Sequence, residues 1–322
     1  MELKTKSISY KKELTLEVVA DVIKSKTQIP IYEVINEDLK ELNKIEKKLS
    51  SIVVGQEEIV SEISRDIRRI KLGYKGNTKP RSYLFVGPTG VGKTLLAKEL
   101  NKLITGKDNL IRIDMSEYKE EHSISKIIGS PPGYVGYSNK TTVLDKVKMN
   151  PNSIILLDEI EKGHPSVMNL FLQVLDEGKM KNSNNEEIRF DNNIIIMTSN
   201  IGCNKFHVGF NTNKKNDILS ELKNILGAEM VNRINHTFVF KNLNKKDVKK
   251  IAFSELDKLR KKFGLDKENL KISSNVIEKI VEESKFEEFG ARKIENIIKN
   301  KIYDVVIDEI MKKSVKITIE TI

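Results

Sequence analysis

Gly87-Pro88-Thr89-Gly90-Val91-Gly92-Lys93-Thr94 combines three glycines, a lysine and a hydroxyl within eight residues and fits the pattern Gly-x-x-x-x-Gly-Lys-Thr. The chemistry this set suits is the holding of a chain of phosphates. Glycines without a Cβ let main-chain N–H groups curl around a pyrophosphate, and a helix starting at the loop presents its positive end. Lys93 is placed to reach the β and γ phosphates, and the Thr94 hydroxyl to bind Mg²⁺ bridging them. The flanks agree. Tyr83-Leu84-Phe85-Val86 is aromatic and β-branched, as in a strand, and Leu95 to Leu100 has helical spacing, so the glycines sit on a strand-to-helix turn.

Ile154-Ile155-Leu156-Leu157 is an apolar run that ends in Asp158-Glu159. Two carboxylates at the end of a buried strand are costly unless something positive meets them. Mg²⁺ and a water would: the first acid orients the metal shell, and the second polarises the water that attacks the γ phosphate. A second apolar run, Ile194 to Thr198, ends at Asn200, whose amide could orient the same water; an asparagine after a strand is also ordinary turn chemistry. Arg233 and Arg292 are candidates for the extra positive charge that γ-phosphate cleavage requires, although exposed arginines commonly form surface ion pairs.

The elements that must position these groups can be read from periodicity. Apolar runs at 83–86, 110–114, 154–157 and 194–198 alternate with helical or loop segments, which predicts an α/β fold with a parallel sheet flanked by helices. Ligands of such sheets sit beyond the carboxyl ends of the strands, where the glycine loop already lies. Ahead of the sheet, helical spacing is expected over 14–23, along Leu39, Leu42, Ile45 and Leu49, and along Ile59, Ile63, Ile67 and Ile70. After Phe240 helices are expected over 247–262, 275–283 and 291–311, followed by a half-buried strand at Val315, Ile317 and Ile319. The Asn- and Glu-rich stretch 179–189 reads as a mobile hairpin. The expected organisation is an N-terminal helical linker segment (1–50), a large α/β domain (51–240) and a smaller, mainly helical C-terminal lid (241–322) with a short strand element.

Bulk composition narrows the classes. The chain has 322 residues with a hydrophobic fraction of 39%, and no apolar run approaches the roughly 20 residues that span a bilayer. No signal-like core occupies the first residues, so an intracellular location is expected: cytoplasmic, or the stroma-like interior of an organelle. Cys203 is the only cysteine, which removes internal disulfides and multi-cysteine metal sites. The net charge of +10 raises the question of nucleic acid, but the lysines are scattered among Glu and Asn without interleaved aromatics, and neither nucleic acid nor membrane is expected as a partner.

Beyond the glycine loop, the chain carries Asp114-Met115-Ser116-Glu117-Tyr118, Gly129-Ser130-Pro131-Pro132-Gly133-Tyr134-Val135-Gly136-Tyr137, Leu157-Asp158-Glu159-Ile160-Glu161-Lys162 and Met197-Thr198-Ser199-Asn200-Ile201-Gly202, in that order. With these it resembles the Clp family of AAA+ unfoldases, specifically the second ATPase module of two-module members, from about Ile29 to the C-terminus. The resemblance implies ATP and Mg²⁺ as ligands, an ATP hydrolase without a peptidase site of its own, and a ring, as in the family's hexamers, built from this chain or mixed with a related Clp subunit. It gives Lys93 and Thr94 the phosphates and metal, Asp158 and Glu159 metal and water activation, and Asn200 the first sensor role. Arg233 resembles the finger that reaches a neighbouring subunit's nucleotide, and Arg292 the second sensor carried by the lid. Val53 and Val54 match the segment that packs against adenine.

Tyr134 and Val135, between glycines, match the pore loop that grips an unfolded polypeptide; a flat apolar ring on flexible flanks suits a sequence-blind grip. Val208-Gly209-Phe210, in a polar stretch, resembles the tripeptide by which protease-associated members dock on the Clp peptidase barrel. The implied function is threading of proteins through a ring pore, with delivery to a peptidase. A peptidase-independent disaggregase and, from another class, a nucleic-acid-directed AAA+ ATPase are the competing readings. The chain departs from the family at the linker Lys26 to Pro30, at Ser138 to Thr142, and at Ala228-Glu229-Met230, which stands where Pro-Glu-Phe precedes the finger.

Overall fold

The computed structural model describes residues 36–71, 79–130, 141–201, 213–312 and 316–320. The expected helix at 14–23, the linker at 24–30, Tyr134 and Val135, Cys203, and Val208, Gly209 and Phe210 lie outside the described residues.

The central element is a five-stranded sheet of β1 (Arg81–Val86), β2 (Ile111–Asp114), β3 (Ile154–Asp158), β6 (Ile194–Ser199) and β7 (His236–Val239), ordered β2-β3-β6-β1-β7. Every pairing in it is parallel, as the run of nearly unbroken apolar strands demands of a sheet covered on both faces. Alternation along β1 assigns the two cores. Tyr83 and Phe85 join one with the helices Asn36–Ile52 and Glu57–Lys71, and Leu84 and Val86 join the other with helix Pro165–Glu177. Ile45, Leu49, Ile59, Ile63 and Ile67 are buried, so both expected N-terminal helix faces pack as their periodicity implied.

β7 was not among the expected strands. Its four residues begin with His and Thr and follow directly on the short helix Ala228–Arg233, so no alternation or apolar run is long enough to announce it. Pairing decides its state: Tyr83 stands opposite His236 and Val86 opposite Val239. The 179–189 stretch is a hairpin of β4 (Lys179–Lys181) and β5 (Glu187–Arg189), anchored by buried Met180 and Ile188.

Beyond Phe240 the chain turns helical. Helix Lys245–Phe263 begins with a capping box, in which Asn244 accepts from the Asp247 N–H at 3.0 Å, and it ends at Gly264 with φ 67°. Helix Ser274–Ser284 follows its expected range closely. The expected helix over 291–311 is one helical run with an inserted π-turn, Lys299–Tyr303, between Arg292–Ile298 and Asp304–Met311. The C-terminal strand β9 (Ile317–Ile319) has a partner that the periodicity did not reveal: β8 (Leu270–Ile272), parallel to it. The core of these helices is continuous with one face of the main sheet through Phe240, Leu243 and Val248. Among the described residues no helix is long and apolar enough to cross a membrane.

At the amino-terminal end of β1 a buried ionic network ties helix Glu57–Lys71 to the sheet. Asp66 accepts from Arg81 Nε at 2.8 Å and Nη2 at 2.6 Å, and from the Tyr83 hydroxyl at 2.6 Å. Burial alone would raise the Asp66 pKa, but the hydrogen bonds from Arg81 and Tyr83 and the arginine's charge outweigh it and hold the carboxyl below its ordinary value. Burial, with the Asp66 carboxylate beside it, pushes the Tyr83 phenol up. A carboxyl whose pKa is lower folded than unfolded contributes stability that is complete above the ordinary carboxylate range and is lost as pH falls through the folded value. Asp66→Ala should therefore cost roughly 2–3 kcal/mol near neutral pH, less than for a fully buried pair because Arg81 is 32% exposed. Urea titrations from about pH 7 down to about pH 3 should show a shallower acid loss in the variant than in the parent chain.

Candidate functional site

The loop between β1 and helix Lys93–Thr105 sits at the carboxyl edge of the sheet. Gly87 N–H donates to Ser199 O at 3.2 Å, extending the β1–β6 pairing one residue into the loop. Gly90 and Gly92 adopt φ of 74° and 103°, which side-chain-bearing residues rarely do. Gly92 caps the helix without any side-chain hydrogen bond, so its first-turn N–H groups face the loop as the natural seat of an anion.

Five of the expected residues converge at this edge. Lys93 is buried, and its Nζ donates to Pro88 O at 2.7 Å, to Asn200 Oδ1 at 2.7 Å and to Gly87 O. Asn200 Nδ2 in turn donates to Glu159 Oε1 at 3.4 Å. Asp158, at the end of β3, has one oxygen held by Arg112 through Nε at 3.1 Å and Nη2 at 2.7 Å. Its other oxygen accepts from Thr198 at 2.5 Å and lies 3.5 Å from the Thr94 hydroxyl.

Glu159 takes a left-handed conformation, φ 55° and ψ 56°, that costs a non-glycine residue about 1–3 kcal/mol. The strain aims its N–H at Thr198 Oγ1, 3.0 Å away, and turns its side chain toward Asn200 and Lys162. The hydrogen bond and charge of Glu159 raise the pKa of Lys162.

Three of these contributors were not singled out from sequence: Arg112, Thr198 and Lys162. Arg112 stands at an outward position of β2, and Thr198 is the first polar residue after four apolar ones in β6. Their signals are single residues whose meaning depends on β2, β3 and β6 lying side by side.

The other expected residues are placed differently. Val53 is 1% exposed and packs behind the loop; a methyl group on Gly92 would lie 3.4 Å from its Cγ1. Val54 is half-buried. Arg233 ends helix Ala228–Arg233 and pairs with Asp176 at 2.9 Å, without joining the Lys93 cluster. Arg292 is exposed at the start of helix Arg292–Ile298 and makes no ion pair among the described residues. Its chain neighbour Ala291, however, donates from N–H to Gly90 O at 3.0 Å, which brings the start of that helix onto the glycine loop.

Thr94 and one Asp158 oxygen form a hard oxygen donor pair, with the second Asp158 oxygen committed to Arg112. Among the described residues no three acidic, histidine or cysteine side chains gather as a metal cage. This pair therefore fits an ion such as Mg²⁺, which keeps most of its shell as water and phosphate oxygens.

The approach of the C-terminal helices to the loop is backbone on backbone. A Cβ at Gly290, where φ is 58°, would lie 2.5 Å from Thr89 O and 2.7 Å from the Gly90 carbonyl carbon. Gly290→Ala should therefore push the two segments apart and weaken binding of a fluorescent adenine nucleotide. Gly264→Ala, with φ 67° and open space around it, should lose only about 1–2 kcal/mol of stability. Nucleotide titration alongside denaturant unfolding separates the two effects.

Comparison with known proteins agrees with this architecture. The family described as AAA domain (Cdc48 subfamily) matches residues 79–237, and the C-terminal, D2-small domain, of ClpB protein matches residues 243–322. The chain is 38% identical over 318 residues to the chaperone protein ClpB of Oceanobacillus iheyensis, covering 94% of this chain and 39% of that protein. It is 39% identical over 311 residues to the ATP-dependent Clp protease ATP-binding subunit ClpE of Streptococcus pneumoniae, covering 94% of this chain and 41% of that one. A closed-state Hsp104 structure with ATPγS and FITC casein superposes with a TM-score of 0.84 at 28% identity, over 95% of this chain and 54% of that chain. The chain thus spans about two fifths of the length of these curated relatives. With both matched regions in order and a parallel sheet that carries the glycine loop, the chain belongs to the Clp family of AAA+ proteins, as a second ATPase module with its small C-terminal domain.

Proposed function

We propose that the chain is an ATP-hydrolysing motor module that unfolds proteins by drawing them through the pore of a ring, most simply a hexamer. The observation that carries this reading is the convergence of Lys93, Asn200, Glu159, Asp158 and Thr94 at the carboxyl edge of one parallel sheet. In this reading residues 51–240 form the ATPase body and 241–322 the lid.

The residues divide the work by charge. N–H groups of Thr89 to Thr94 and the ammonium of Lys93 bind the triphosphate, which requires Lys93 to exchange its bonds to Gly87 O and Pro88 O for phosphate oxygens. Thr94 and Asp158 would hold Mg²⁺, which supplies charge neutralisation as the γ phosphate leaves. Arg112 and Thr198 keep the Asp158 carboxylate turned toward Thr94. Glu159, fixed by its own strained backbone and by Asn200, is the base that polarises the attacking water. Val53 and Val54 lie against the adenine side of the loop.

Arg292, carried by the lid, would reach the phosphates, a placement supported by the Ala291 N–H bond to Gly90 O. Arg233, exposed and paired only at the surface, is free to exchange Asp176 for the nucleotide of a neighbouring subunit. Tyr134 and Val135 would grip the polypeptide, and Val208, Gly209 and Phe210 would dock a Clp peptidase. The similarity to ClpE, named as a protease subunit, supports delivery to a peptidase. The similarity to ClpB, named as a chaperone, supports a second reading in which the module acts without one.

Glu159→Gln should retain ATP and leave it uncleaved, with turnover falling by on the order of 10²-fold or more as the base is lost. Arg233→Ala should lose turnover by roughly 10³-fold in a uniform ring. Mixed with Glu159→Gln subunits it should regain part of that activity, because an intact Arg233 then faces an intact Glu159. Phosphate release and nucleotide retention on the same preparations check both expectations, and unaltered hydrolysis by Glu159→Gln would count against the assignment.

A further inference from the structure

Glu161 has no role in the site as drawn so far, yet it touches it. It lies in the 3-10 turn Ile160–Lys162, directly after the two acids of β3. Its Oε1 accepts the backbone N–H of Asn200 at 3.1 Å, while its Oε2 is buried with no hydrogen-bond partner among the described residues. The adjacent cation, Lys162, pairs with Glu159 instead.

Asn200 is the first residue past β6, where the ladder has already ended, with Gly87 taking the Ser199 carbonyl. Its N–H therefore needs an acceptor from outside the sheet, and a carboxylate makes a shorter and stronger bond than a neutral group would. The orientation of the Asn200 side chain follows from chemistry. Lys93 can only donate, so the amide oxygen must face it at 2.7 Å, which leaves the amide nitrogen to face Glu159 at 3.4 Å. A small rotation at the Asn200 backbone would misalign both contacts together.

We propose that Glu161 is a positioning residue for phosphate cleavage: by anchoring the Asn200 backbone it aims the Asn200 amide between Lys93 and Glu159. The inference rests on the ATPase reading above. A positioning role and a stabilising role separate in their consequences: the first shows in turnover, the second in melting temperature.

The test uses the full chain as wild type, Glu161→Ala and Glu161→Gln. In Glu161→Ala, exchange of the Asn200 amide with solvent should accelerate at least about tenfold as its acceptor among the described residues is lost, on the scale of local opening. The turnover number should fall on the order of 10–100-fold, as for a misplaced catalytic group. The melting temperature and the dissociation constant for ATPγS should stay close to wild type. Glu161→Gln, which keeps an oxygen acceptor, should recover most of the protection and the rate. Unchanged Asn200 protection in Glu161→Ala overturns the proposal, and so does a loss of turnover matched by an equal loss of nucleotide affinity or of melting temperature. Failure of wild type to bind or cleave ATP would instead overturn the ATPase reading; the exchange measurement, made without nucleotide, still decides the Glu161–Asn200 contact.

Discussion

An ammonium and two carboxylates meet at one edge of a hydrophobic sheet, and most of the surrounding structure follows from keeping them paired. Lys93 is only 8% exposed and Asp158 only 7%. Charges so enclosed are tolerated only with close partners. Lys93 is satisfied by two loop carbonyls and Asn200, and Asp158 by Arg112 and Thr198. These partners come from β2, β6 and the loop after β1, so the order of strands in the sheet is itself a condition for the site.

Glycine matters here through contact as much as through conformation. Gly87, Gly90 and Gly290 each stand where another backbone or side chain passes too close for a Cβ. The loop is thereby pinned between the sheet edge at Phe240 and the turn at Phe289–Ala291. The shared core through Phe240, Leu243 and Val248 gives the same linkage an apolar foundation.

One strained backbone position faces the chemistry. Among the described residues only Glu159, Asn185 and Lys285 have positive φ without being glycine. Asn185 lies in the β4–β5 turn, where such a conformation is ordinary, and Lys285 caps a helix. Glu159 differs, since a strand that simply ended in solvent would have no reason to adopt it. Its left-handed turn gives Thr198 a second bond and sets the carboxylate beside Asn200, so the backbone is held bent by groups that are themselves part of the site.

Strong local patterns were legible without a structure. The glycine loop, the apolar strands ending in Asp158-Glu159 and Asn200, and the long amphipathic helices carry their meaning in a few consecutive residues, because phosphate binding and helix burial are set by local spacing. The elements that escaped were β7, β8 and the π-turn, each too short for a period to show and stabilised by a partner far along the chain. The same division holds within the site. Residue types alone singled out Lys93, Thr94, Asp158 and Glu159 as candidates, but Arg112, Thr198 and Glu161 acquire their partners only when β2, β3 and β6 come into register. The sequence therefore determined which ligand chemistry is possible, since that depends on side-chain charge and backbone freedom. Tertiary structure alone decided which side chains hold the Asp158 carboxylate, how Asn200 links Lys93 to Glu159, and how the C-terminal helices meet the loop, since those depend on distances between residues that the chain keeps far apart.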